Sequence, residues 1–451
     1  MQRPARLAAA SRSSRFRQVG RIGGFRVQTR MPPARAVLLL VALLTSVAGS
    51  AQPRPSAAGD AAWPQWGGPT RDFTVPGPSL GWDGAEPARV WERELGDGFS
   101  SVIGDAATVY TAHREGDDAV VQALDAATGR PRWSRRVDSA PLPDMFLNYG
   151  QGPNSTPALA GTRLFVVTFT GRLCALEAAT GEVVWSRELW RDLGGTFRDV
   201  GYSNSPLVAG DLVVVPVGGQ GQALAAFRLA DGTTAWTGGD LGNAMSSPVL
   251  IELDGERQIV ALMVEGVAGF EPASGRQLWF HPHRTDYDVN AATPVWHPAT
   301  RTLLISSAYG QGTRALRLSR TGERTDVAEA WFSRRLRVHH GNLLALGGHV
   351  YGSSGDFGPA PLTALDLATG AVAWQSRTFP KATLVQVGER TLVLDEDGRL
   401  AVVALSPSGL EVLQQAQVTS RLSWTPPTVV GRRVYVRDRR SLVALELLPR
   451  P

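Results

Sequence analysis

One cysteine and one lysine stand in 451 residues, and each shortage excludes something. Cys174 alone cannot form an intrachain disulfide, a paired-thiol redox site or a Cys-x-x-Cys-His haem attachment. It falls in the apolar run Leu173-Cys174-Ala175-Leu176, where a thiol packs as a small inert hydrophobe. Lys381 is the lone lysine of an Arg-rich chain. The only long apolar run, Ala36 to Val47, is too short for a permanent membrane span. Acidic residues are missing from positions 1–50, which carry nine Arg; without that stretch the formal charge falls from +5 to −4. The basicity therefore belongs to the leader. The remaining 401 residues carry no basic run, so neither nucleic acid nor a lipid surface is expected as partner. No Gly-x-Ser-x-Gly elbow, His-Glu-x-x-His or phosphate loop occurs, and no stretch has a helical period.

What the chain has instead is repetition. Ala123-Leu-Asp125-Ala-Ala-Thr128-Gly129-Arg-Pro-Arg-Trp133 returns almost unchanged as 175–185 and 364–374, ending at Trp185 and Trp374. Looser copies end at Trp236, Trp279 and Trp331, the last with a short insertion after Thr321-Gly322. A recurrence of this length means a solenoid or a propeller. Within one copy an apolar strand runs into Ala-x-Asp, Thr-Gly turns the chain, and a second strand ends in Trp. Gly supplies the positive φ of the turn, and the acid and hydroxyl satisfy its free N–H groups. Units made only of antiparallel strands fit four-stranded propeller blades, with each Trp flat between neighbours.

Ala-x-Asp-x-x-Thr-Gly-x-x-x-Trp resembles the tryptophan-docking motif of the pyrroloquinoline-quinone-like (PQQ-like) propeller superfamily. That superfamily, usually eight-bladed, includes the quinoprotein alcohol dehydrogenases and BamB-like envelope assembly proteins. Trp63-Pro-Gln-Trp66-Gly-Gly-Pro-Thr-Arg71-Asp72 resembles an opening common in its bacterial members. The resemblance implies an all-β fold: a single propeller of eight four-stranded blades. These are expected at 97–135, 150–187, 200–237, 243–281, 290–333, 339–376 and 381–415, with a composite eighth from 421–448. That eighth blade lacks a last strand. Val90-Trp91-Glu-Arg-Glu-Leu95 has the form of one, so residues near 88–95 are expected to close the ring. Trp91, Trp133, Trp185, Trp236, Trp279, Trp331 and Trp374 are the expected docking residues, and the seventh blade has none.

Arg35, the apolar run and Ala48-Gly-Ser50-Ala51 read as a signal peptide at 31–51, starting from Met31. Residues 1–30 are then an over-long start or a disordered extension. Residues 52–87 read as a tether and an arm docked on the propeller rim by Trp63 and Trp66, and 88–448 as the propeller. No Cys stands at the cleavage site for a lipid anchor. A soluble monomer, periplasmic or secreted, is expected.

The segments feeding the blades' first strands should ring one mouth of the channel. They hold Tyr149, Asn154, Tyr202, Asn204, Asn243, Asn290, His340, Lys381 and Trp424. If these converge, a polar or anionic ligand could bond the amides, with Lys381 supplying charge and Trp424 or the tyrosines stacking on a ring. The alternative is that Asn, Ser or Thr before Pro merely caps strand starts. His281-Pro-His283 and His339-His340 lack a third ligand at metal-binding spacing, and Asp395-Glu-Asp397-Gly398 reads as a hairpin turn rather than a calcium loop. No metal is expected. The resemblance implies either a non-catalytic exported propeller binding an envelope protein, peptide or glycan, or a PQQ-dependent alcohol or sugar dehydrogenase. The second would need calcium, an Asp base and an Arg over the quinone, and these residues cannot be matched here; the adjacent Cys-Cys pair of such enzymes is absent. No bound cofactor is therefore expected.

Overall fold

The computed structural model describes residues 62–450 except 357 and 359. The leader and most of the tether fall outside them. Eight four-stranded antiparallel sheets follow one another along the chain. Their strands span 103–138, 158–188, 207–238, 249–282, 295–333, 344–376 and 383–417, and the eighth combines 428–446 with Ala88–Glu94. First strands of neighbouring blades lie against each other around the axis. This is the expected eight-bladed ring. Seven of the eight blades start several residues later than the sequence suggests, and the seventh slightly later, because the feeding segments stay irregular.

The repeated motif explains the seams. Asp125 accepts hydrogen bonds from the backbone N–H groups of Ala127 and Thr128 and from the Thr128 hydroxyl, and Gly129 turns the chain at φ +69°. A Cβ on Gly129 would fall 2.6 Å from Trp91 of the preceding blade, so the turn can approach the indole only without a side chain. Within each blade the Trp pairs with the motif's small residue, as in Ala123↔Trp133 and Ala175↔Trp185, and a bulge follows. Each indole then donates to a carbonyl of the next blade's turn: Trp91 to Ala126, Trp133 to Ala178, Trp185 to Leu229, Trp236 to Pro272, Trp331 to Leu367 and Trp374 to Ser406.

Trp279 breaks the series. The insertion in the fifth blade lengthens its outer hairpin, Thr313–Thr321 with Arg324–Ser333, and carries the Gly322 turn past the seam. Trp279 therefore donates at 2.7 Å to Gln258 of its own blade, whose amide reaches Thr325 of the next. Gly269 replaces the usual Ala opposite it, since a Cβ there would collide with the indole.

The ring closes as expected. Ala88–Glu94 pairs with Ser441–Glu446, with Trp91 opposite Ala444. The arm before it does not dock on the rim as the sequence reading has it. Trp63 bridges Gly104 of the first blade, and Pro64 accepts from Leu159 of the second. Arg71 donates to Ser205 and Pro206 of the third, Trp66 to Thr293 of the fifth, and Thr74–Val75 adds a parallel strand inside Thr383–Val387 of the seventh. All these partners belong to, or lead into, first strands, so residues 63–75 occupy the channel. Trp63 and Phe73 are fully buried there. Only afterwards does the chain reach the outer side, where Ser79–Gly81 pairs with Leu448–Arg450.

That exit repairs the seventh blade. Gln414 stands where the other blades carry Trp, opposite Val402 at the bulge. Its amide bonds both backbone groups of Trp82. The Trp82 side chain is buried in a core shared by the seventh, eighth and first blades. The missing docking residue is thus supplied by the N-terminal arm.

Candidate functional site

Two kinds of feeding segment occur on the face where the first strands begin. One kind staples blades together. The Ser101 N–H donates to the Thr156 hydroxyl at 2.9 Å, the Thr156 N–H to Ser205 at 3.0 Å, and the Ser205 N–H to Ser247 at 2.9 Å, linking four consecutive blades. Asn204 donates to the Ser246 carbonyl, and Asn342 bonds both backbone groups of Leu384 across the seam between the sixth and seventh blades. Buried N–H groups at a strand start need partners, and short hydroxyl and amide side chains reach the neighbour. Four expected mouth residues are placed off the lining of the cavity at this face. Tyr202 is buried and donates to Pro216; Asn204 and Asn243 are buried; Asn290 donates to Met263 and His283 and accepts from Ser307.

The other kind opens. A cavity of about 280 Å³ sits at this mouth, lined among others by Tyr149, Asn154, His340 and Trp424. Sequence reasoning missed Trp66, Phe99, Tyr309, His339 and Asp356, which line it as well. Trp66 reaches the cavity from the channel arm, held by its bond to Thr293. Around one side runs an arc of rings. Tyr309 meets His339 edge to face at 4.9 Å and bonds its Nε2; His339 abuts His340 at 3.9 Å; His340 lies parallel to Trp424 at 3.9 Å and 8°; Trp424 stacks on Phe99 at 5.3 Å. The arc is brought together by the fifth, sixth, eighth and first blades, so no local motif announces it. One signal existed: Tyr149-Gly-Gln-Gly recurs as Tyr309-Gly-Gln-Gly, and both tyrosines line the cavity.

Lys381 is not a lining residue. Its ammonium pairs with Glu396 at 3.2 Å, above the Trp424 ring, and Glu396 also accepts from the Trp424 indole. The charge expected to meet an anion is held in an ion pair. Asp356 is the one formally charged lining group among the described residues.

Burial depresses the imidazoles. Desolvation lowers His339 to about 4 and His283 to about 3, and holds His340 well below its ordinary value. Neutral His is thus built into the fold, while the unfolded chain takes up a proton near 6.5. The linked stability is complete above that value and is lost as pH falls toward the folded values. Each of His283 and His339 contributes up to about 1.4 kcal/mol per pH unit in that window. We expect urea denaturation to show a loss of about 2–4 kcal/mol between pH 7 and pH 5. A double variant, His283→Gln with His339→Gln, should reduce the fall, leaving the part carried by His340; an unchanged fall would assign it to other groups.

The residues present do not suit PQQ with calcium. The quinone is a planar polycarboxylate, and the lining offers it a carboxylate and no cation. Calcium takes six to eight oxygen ligands, and no group of three His, Cys, Asp or Glu is placed to hold a metal among the described residues. Cys174 is buried, its thiol pushed up to about 12 by desolvation.

Around the mouth, apolar side chains stay exposed on three loops. Leu142, Phe146 and Tyr149 come from one, Phe197 from a second and Tyr287 from a third. The first two loops are tied by the Phe146 N–H to Asp199 bond, and Tyr287 meets Tyr309 of the cavity wall edge to face at 5.3 Å.

The profile of the family described as outer membrane protein assembly factor BamB matches residues 117–376. Outer membrane protein assembly factor BamB of Escherichia coli is 26% identical over 136 residues, 30% of this chain and 31% of that protein, so the chain spans about a third of that relative's length. Polyvinylalcohol dehydrogenase of a Sphingopyxis species is 38% identical over 74 residues, 14% of this chain and 11% of that one. The crystal structure of BamB from Moraxella catarrhalis superposes with a TM-score of 0.56 at 20% identity, covering 80% of this chain and 98% of that chain.

Proposed function

We propose that this chain, which belongs to the outer membrane protein assembly factor BamB family, is a non-catalytic periplasmic propeller that binds an envelope polypeptide during outer-membrane assembly. The observation that carries this reading is the mouth: exposed apolar side chains on three loops surround a cavity whose lining offers no cation or metal-ligand set. Contiguous exposed apolar groups mark protein contact surfaces, and loops on a rigid scaffold are where such contacts usually sit. No helix among the described residues is long and apolar enough to cross a membrane. The second reading, a quinone-dependent dehydrogenase of alcohols or sugars, is favoured by the stretch shared with polyvinylalcohol dehydrogenase.

Cells lacking the protein should show several-fold less folded β-barrel protein in the outer membrane. The wild-type gene should restore it, and a variant with Leu142, Phe146, Tyr149 and Tyr287 all changed to Ser should not, while keeping its melting temperature. Native mass spectrometry of the exported protein with quinone and calcium supplies the opposing result. A retained quinone mass together with unchanged outer-membrane protein would replace the assembly reading with the dehydrogenase one.

A further inference from the structure

The polar groups of the mouth are largely committed to one another. Asn154 donates to Ser203, the Trp66 indole to Thr293, and the Thr425 hydroxyl to the Phe99 carbonyl. Ser205 and Ser247 take the stapling N–H bonds of their neighbours. What the cavity presents is ring surface, from Tyr149, Tyr309 and the arc ending at Phe99, together with the Asp356 carboxylate. Ring faces carry negative quadrupole potential and attract cations. A carboxylate has about four lone-pair sites and can receive a guanidinium while serving another partner. The two histidines add no charge that would repel a cation at neutral pH. Lys381, the nearby cation, is paired with Glu396 and is not on the lining.

From these ring surfaces and the single carboxylate, we infer that the mouth receives the guanidinium of an arginine side chain from the bound polypeptide. The inference rests on the reading that the mouth serves a polypeptide. It reverses the anionic ligand expected from Lys381. The cavity of about 280 Å³ admits one extended side chain, with the surrounding apolar loops left for the flanking residues.

Saturation-transfer NMR on the full mature chain tests this with N-acetyl-arginine amide, N-acetyl-citrulline amide and maltose as probes. Citrulline keeps the shape and loses the charge. Arginine amide should bind at least tenfold more tightly than citrulline amide, and maltose should not displace it. Asp356→Asn should remove that preference while the chain still melts cooperatively; Tyr149→Ala, at an exposed position, should weaken arginine binding several-fold. Equal binding of the two amides, a preference that survives Asp356→Asn, or displacement by maltose would overturn the inference. Because this readout uses purified protein and small probes, its failure leaves the cellular assembly result standing, and a failure there leaves this one standing.

Discussion

Deleting residues 85–95 is expected to abolish cooperative folding of the whole ring. Those residues supply the outer strand of the eighth blade, with Trp91 opposite Ala444 and its indole donating to Ala126 of the first blade. The Leu95 N–H is held by the Arg440 carbonyl. Without them the buried run Leu442, Val443, Ala444 and Leu445 becomes an open sheet edge, and the seam between eighth and first blades loses its indole. An apolar edge pairs with other chains, and the lost contacts compare with the 5–15 kcal/mol that holds a typical domain folded. Calorimetry should find no single transition, and limited proteolysis should cut first around 421–448. A soluble deletion product that melts cooperatively would place closure elsewhere.

Trp82→Ala should cost about 3–5 kcal/mol, as much as Trp133→Ala, although Trp82 lies outside the repeats. Both indoles fill an inter-blade seam. Trp82 is 3% exposed and Trp133 half-buried, so the non-repeat residue is the better enclosed of the two. Chemical denaturation of both variants gives the comparison. A loss below about 1 kcal/mol at Trp82 would mean that Gln414 and the paired Ser79–Gly81 and Leu448–Arg450 strands hold the seam unaided.

The ring was legible because its device is periodic and chemically specific. Acid, Thr-Gly and Trp each have one job at a seam, so the sequence pattern, the Trp91 half-blade and the closure strand could be read directly. Trp63 and Trp66 could not be placed in the same way. Two aromatics beside Gly-Gly-Pro indicate burial, but a docking arm has no repeat to say whether its partner is the rim or the channel. The feeding segments misled for a related reason: Asn204, Asn243 and Asn290 share a local sequence logic with Asn154, yet whether an amide faces a seam or the opening depends on how the next blade packs. Phe99 comes from the first blade, Tyr309 from the fifth and Asp356 from the sixth, so they meet only once the ring exists.

The channel arm has a kinetic consequence. Trp82 binds Gln414 across 332 positions, and the strand at 88–94 must find 441–446. Bringing ends together over such a span costs about 5 kcal/mol in loop-closure entropy before any contact repays it. The chain therefore carries an early tryptophan, Trp82, and a strand whose partners are synthesised late. Folding of this propeller should be slow and late, with the final blade as its gate, and the closing strand is made early yet seated among the last.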